Sequence, residues 1–458
     1  MSGSEMPRAR RPGGGGRKLP TSPAAPADPG PAPGPAAPGP AVSPAAIMPP
    51  YRLPAQHFIA ALVWLALGAL GLAWIAPDLA AGAYLTPRAA AVTHCFTLGW
   101  ITTSIFGALY QIFPVALGVG ARSTPLGHRT FWTLQAGIVL LVAGAWTWNP
   151  DLLGPGWLLV FLAVLALRIN VVAPGRTSRR APQVWAYVTA ATISLVLALA
   201  VAGVSIGTFA GWWRSDRLGV LTAHVHLAAV GFATLTAIGV GGKLLPMFLY
   251  ARDLPAWPLR WIGPLVGGGV LLFSASALIG PAGAVGVAGR AGGVAMAAGL
   301  GLYLGTAPLY FRRGVRSPGP GLVLAAAAHA FLLLAVALGL WLLIRSEPEP
   351  RAVTAYGVAG LIGWLTLFVA GVYHRILPFL TWLERFSSKV GAPGVPKAAE
   401  LTRPRLAWAA HGLLAAGAAT LCAAVLSGSA LGARAGGGLF AAGALTLLGM
   451  YLDVVRRR

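Results

Sequence analysis

Charged side chains are scarce in this chain: Asp, Glu, Lys and Arg make up 10% of its 458 residues, against 57% hydrophobic ones. That balance excludes an ordinary soluble domain, where about 25% of residues are charged. Acidic residues are scarcer still, eleven against thirty-four Lys and Arg, and no two carboxylates pair within an apolar run. The two cysteines, Cys95 and Cys422, lie far apart inside apolar runs, which rules out a disulfide framework or a paired-cysteine metal motif. There is no phosphate-binding glycine loop, no nucleophile elbow and no c-type haem motif. Residues 1–50 lack the apolar core of a secretory signal peptide.

What remains is a polytopic, all-α membrane protein. The first fifty residues, rich in Pro, Ala and Gly and opening with a basic run, read as a disordered basic tail. From Tyr51 onward, apolar stretches alternate with short breaks rich in Pro, Gly and Arg, and each stretch suffices to cross about 30 Å of hydrocarbon as a helix. Twelve spans are expected, at 57–77, 90–119, 128–149, 152–174, 184–207, 218–250, 257–280, 285–311, 320–344, 352–382, 405–427 and 430–452. The formal charge of +23 sits in tails and loops and not on one face with interleaved aromatics, so topology explains it and nucleic acid is not expected as a partner. Cation-rich loops fall on one side when both termini are cytoplasmic, as in a bacterial-type inner membrane, with the lipid bilayer as the surrounding partner.

The twelve spans contain an internal repeat. The second span has His94, Gly99, Trp100, Thr102, Gly107, Gln111 and Pro114; the sixth has His226, Gly231, Phe232, Thr234, Gly239, Lys243 and Pro246; the tenth has Val358, Gly363, Trp364, Thr366, Gly371, Arg375 and Pro378. Counted from the first residue of each, Gly falls at +5 and +13, an aromatic at +6, Thr at +8, a long polar residue at +17 and Pro at +20. The registers lie 132 residues apart, from 94 to 226 and from 226 to 358. Three pseudo-equivalent four-helix units follow, at 51–182, 183–314 and 315–458. Glycines at this spacing are also ordinary helix-packing positions, so they mark a close face and leave others for function.

An imidazole in hydrocarbon is costly unless bonded, so intramembrane histidines mark candidate sites. His94, His224 and His226 fall in the outer third of their spans, while His57, His128, His374 and His411 fall near cytoplasmic ends and read as snorkelling interfacial residues or loop contacts. His224 and His226 are two residues apart, about 200° around a helix, and therefore address different sites. The sequence resembles the haem-copper oxidase superfamily, subunit I, of the kind found in cytochrome c oxidase and nitric oxide reductase. The likeness rests on twelve helices in three quartets, termini inside, histidines in the outer third and a His-x-His addressing two sites.

The resemblance implies that His94 is an axial ligand of a low-spin haem of b type. The family's His-x-His stands on the tenth helix, where this chain has Tyr356 and Val358; here the pair is on the sixth. The family's copper site also needs an adjacent His-His pair on or near the seventh helix, and residues 257–280 contain no histidine. Copper is therefore not expected. Respiratory electron transfer or O2- and NO-related redox chemistry is implied, with a quinol, a cytochrome or a redox subunit as electron partner.

Threefold symmetry supplies partners for the histidines. If the cleft between neighbouring central helices is lined by +0 of one and −2 of the next, His94 faces His224, His226 faces Tyr356 and Val358 faces Val92. A competing geometry turns each +0 face to the axis and pairs His94 with His226. Helical angles do not choose between them; the cleft geometry is preferred because it gives both members of His-x-His a role. A bis-histidine cleft suits an electron-transferring haem, and the His226 and Tyr356 cleft a second haem, a metal or a small substrate. His329, near the middle of the ninth span, is a possible further ligand.

Gln111, Lys243 and Arg375, with Tyr110 and His374 one residue earlier, define an inner polar ring roughly 25 Å from the histidines. That separation supports an alternative of a different class, a transporter or channel with an outer histidine site and an inner cationic ring. A membrane scaffold or sensor without catalysis is a third reading.

Overall fold

A computed structural model describes residues 47–456 except 253, 281–284 and 346–348. The proposed tail therefore lies almost wholly outside the described residues, as does the expected break between the seventh and eighth spans at 281–284. The described chain is helical throughout, with no strand among the described residues. Twelve helices are long and apolar enough to cross a membrane: α1 Arg52–Ala80, α2 Pro87–Leu117, α3 Thr124–Thr147, α4 Pro150–Thr177, α5 Pro182–Phe209, α6 Arg217–Leu249, α7 Trp257–Ile279, α8 Val287–Arg312, α9 Gly319–Leu343, α10 Pro350–Lys389, α11 Pro404–Ser427 and α12 Ala430–Arg456. The chain is a multi-pass membrane protein. Its outer faces carry exposed apolar side chains, among them Leu67, Trp74, Trp132, Leu271 and Leu333, as hydrocarbon-facing surfaces do.

Local chemistry explains where the helices start. Thr86 and Ser123 accept the Ala89 and Leu126 amides, and prolines at 87 and 125 fit the first turn, where no amide partner is lost. Asp216 caps α6 in the same way. Gly118, at φ +67°, closes α2 in the left-handed conformation.

The helices close a ring. α4 packs on α5, α8 on α9 and α12 on α1, while α2, α6 and α10 meet one another at the centre. Each central helix contains a π segment, at Cys95–Thr102, Leu227–Thr234 and Val358–Thr366, and all three end on the threonine at +8. Thr102 and Thr366 each donate to the carbonyl five residues earlier, Thr97 and Leu361, which suits that wider turn.

A π residue advances less around the axis than an α residue. The glycines at +5 and +13, which an unbroken α-helix would leave about 80° apart, thus come to one face. The contacts show this in each quartet. Gly99 and Gly107 lie against Trp64 and His57 of α1, Gly231 and Gly239 against Ser194 and Tyr187 of α5, and Gly363 and Gly371 against Phe331 and Gly321 of α9.

Candidate functional site

His94, His224 and His226 stand at one end of the central trio, each on the α-helical turns just before a π segment. The His94 Nδ1–H donates to the Ala90 carbonyl at 2.7 Å, and the His224 Nδ1–H to the Ala198 carbonyl of α5 at 2.9 Å. A carbonyl can only accept, so both bonds place the proton on Nδ1 and leave the Nε2 lone pair available. The two rings face one another across the α2–α6 cleft, with centroids 6.4 Å apart and planes inclined by 26°. A metal held about 2.0–2.1 Å from one nitrogen of each of two imidazoles separates the ring centres by roughly 6.3 Å. The centroid separation matches that of two imidazoles ligating one ion from opposite sides, and backbone carbonyls fix both rings as they do for metal-bound histidines.

The second cleft is built differently. The His226 Nδ1–H donates to the Thr222 carbonyl at 2.8 Å, so the Tyr356 hydroxyl donates to His226 Nε2, at 3.3 Å. Their centroids are 6.0 Å apart, and Phe273 of α7 lies 4.5 Å from the imidazole on another side. This lone pair already has a partner. In the third cleft Val92 turns to fill the space beside Gly71 of α1.

The remaining candidates separate. His329 has both nitrogens engaged, Nδ1–H with the Ala325 carbonyl at 2.8 Å and Nε2 with the Tyr303 hydroxyl at 3.0 Å. Tyr110 accepts from Asn170 at 3.3 Å and lies beside His57. Arg375 donates to the Pro318 carbonyl at 3.2 Å, Lys243 is exposed and Gln111 half-buried. The His374 ring sits 5.1 Å from that of His411 and close to the Tyr451 hydroxyl.

The interfacial reading of His57 and His411 is corrected: their exposures are 0% and 2%. Gly107 brings the α2 backbone onto the Cβ of His57, with Phe131 packed edge-to-face on the ring, and His374 packs against His411. Among the described residues no three His, Cys, Asp or Glu side chains gather around one point.

Sequence reasoning did not pick out Ala198 as the carbonyl behind His224, nor Phe273, nor the bond from Trp364 Nε1–H to Thr234 Oγ1 at 3.1 Å. A signal for the last was present. Thr234 and Trp364 are 130 residues apart, as are His226 and Tyr356, because a residue of one central helix faces the residue 130 positions on in the next.

No protein-family model matches the chain, and no curated protein matches it. Among solved structures it is similar to a haem-copper terminal oxidase dimer determined by cryo-electron microscopy, with a TM-score of 0.66 and 11% identity over 89% of this chain and 84% of that one. At that identity the likeness speaks for the fold, and the chain carries a haem-copper-oxidase-like fold.

Proposed function

We propose that this chain is a membrane redox protein, a divergent relative of haem-copper oxidase subunit I, that holds a b-type haem between His94 and His224. The observation that carries the reading is the facing imidazole pair: centroids at 6.4 Å, planes near parallel, and each Nδ1–H committed to a backbone carbonyl. The oxidase-like fold supports it. A haem there would supply one-electron transfer, at a potential governed by two imidazoles and a largely apolar surround. Within the protein, the Ala90 and Ala198 carbonyls hold the rings in register and strengthen both Nε2 donors. His226 and Tyr356 keep a proton between Oη and Nε2 in the neighbouring cleft.

The proposal extends to respiratory electron transfer or O2- and NO-linked redox chemistry in a bacterial-type inner membrane, fed by a quinol, a cytochrome or a partner subunit. A transport path draws less support. The cavity on the central axis is about 70 Å3 and is lined mainly by apolar side chains such as Ile101, Val240, Leu365 and Phe368.

The test is a reduced-minus-oxidised absorption spectrum of protein expressed with haem supplied. Low-spin bands are expected in the wild type and in His226→Ala, and their loss in His94→Ala and His224→Ala. Bands that survive His224→Ala and vanish in His226→Ala overturn the pairing. No bands in a folded wild type overturn the haem itself.

A further inference from the structure

At the end of the bundle opposite His94, His224 and His226, a cavity of about 360 Å3 opens between α4 and α5. Arg122, Arg168 and Arg176 line it, together with Trp185, Thr189 and Ile169. Three cations converge there, and no acidic side chain is among the lining residues. Among the described residues, none of the three is ion-paired to a carboxylate.

Arg168 is the informative member. It belongs to the membrane-spanning helix α4, is half-buried and has no carboxylate partner among the described residues, an arrangement that is costly for a guanidinium in such a helix. Its Nη1 is tied to the Thr192 hydroxyl and, at 3.5 Å, to the Thr189 carbonyl, which fixes the fork and leaves its other N–H donors for a ligand. The Thr189 hydroxyl is buried without a hydrogen-bond partner, which adds a donor suited to an oxyanion. Trp185 forms a fixed wall, its Nε1–H bonded to the Val172 carbonyl at 3.0 Å.

We infer that this cavity binds the phosphate of an anionic phospholipid. Phosphate oxygens match the guanidinium fork. The lipid, and not free phosphate, is the source because Ile169, 55% exposed, and Trp185 flank the opening with apolar surface where acyl chains would run. The Arg distribution assigns this end of the bundle to the cytoplasm, where a basic pocket between membrane helices meets anionic headgroups. The site is independent of the haem reading, since it lies at the far end of the helices from His94 and His224.

Native mass spectrometry of the full chain in detergent tests it, with phosphatidylglycerol and phosphatidylcholine titrated separately. One saturable phosphatidylglycerol is expected, with phosphatidylcholine at least about tenfold weaker. Arg122→Gln with Arg176→Gln should weaken binding about 30-fold, or about fivefold for each arginine. Both side chains are exposed, so these variants leave the helix packing intact. Equal binding of the two lipids, or an unchanged double variant, overturns the inference. Displacement of phosphatidylglycerol by inorganic phosphate at comparable concentration overturns the lipid as source.

Discussion

Replacing Gly239 by Ala tests how tightly the central helices are seated. The new Cβ would lie 2.3 Å from Tyr187 Cβ and 2.7 Å from its Cγ, well inside contact distance. Tyr187 cannot swing aside cheaply. It is buried on α5, and its hydroxyl donates to the Leu259 carbonyl at 2.7 Å. Overpacking of this kind costs about 1–3 kcal/mol, and straining the hydrogen bond adds about 1 kcal/mol. Against that stands the better helix propensity of Ala, about 1 kcal/mol. A net loss of about 1–3 kcal/mol is expected. Gly268 on α7 is the matched control, because a Cβ there meets nothing within 4 Å. Its Ala variant should be neutral or slightly more stable. Unfolding in a detergent mixture with rising SDS fraction, followed by Trp fluorescence, ranks the three proteins. Equal midpoints for Gly239→Ala and Gly268→Ala would show that the α5–α6 contact is looser than described.

Three further outcomes are expected. Tyr356→Phe leaves His226 Nε2 without its donor and should cost about 1–2 kcal/mol in the same unfolding assay, while any His94 and His224 signal stays unchanged. Trp364→Phe removes the bond to Thr234 that ties α10 to α6, with an expected loss of about 1 kcal/mol plus the packing deficit of the smaller ring. Gly118→Ala forces a Cβ into φ +67° where α2 turns towards α3, and should destabilise by about 1 kcal/mol even though its neighbour there is the movable end of Arg180.

Hydrophobic length and Pro or Gly punctuation marked all twelve helices, because burying backbone polar groups in a bilayer leaves little choice but helix. The 132-residue repeat identified the central trio and narrowed the histidine pairing to two geometries; the cleft one, with His94 beside His224 and His226 beside Tyr356, is the arrangement in the structure. Backbone winding was not legible. Nothing in the composition of CFTLGWIT announces i→i+5 bonding, since the side chains that favour it differ little from those of an α-helix. Depth also misled for His57. Position along a span measures distance from the membrane surface, whereas its burial is lateral, imposed by a glycine of α2 more than forty residues away.

The three π segments have a consequence for how such a bundle can change over time. Each acts as a phase adjuster between two halves of one helix. Above it, the azimuth decides which cleft a side chain enters; within and below it, the azimuth seats the glycines at +5 and +13 against the outer helix. Because the shift is taken up in between, a ligand can be gained or lost on the upper half of α2, α6 or α10 without disturbing the seam beneath. An upper turn on α10 that carries Tyr356 and no histidine, and one on α6 that carries two histidines, are two settings of the same mechanical part.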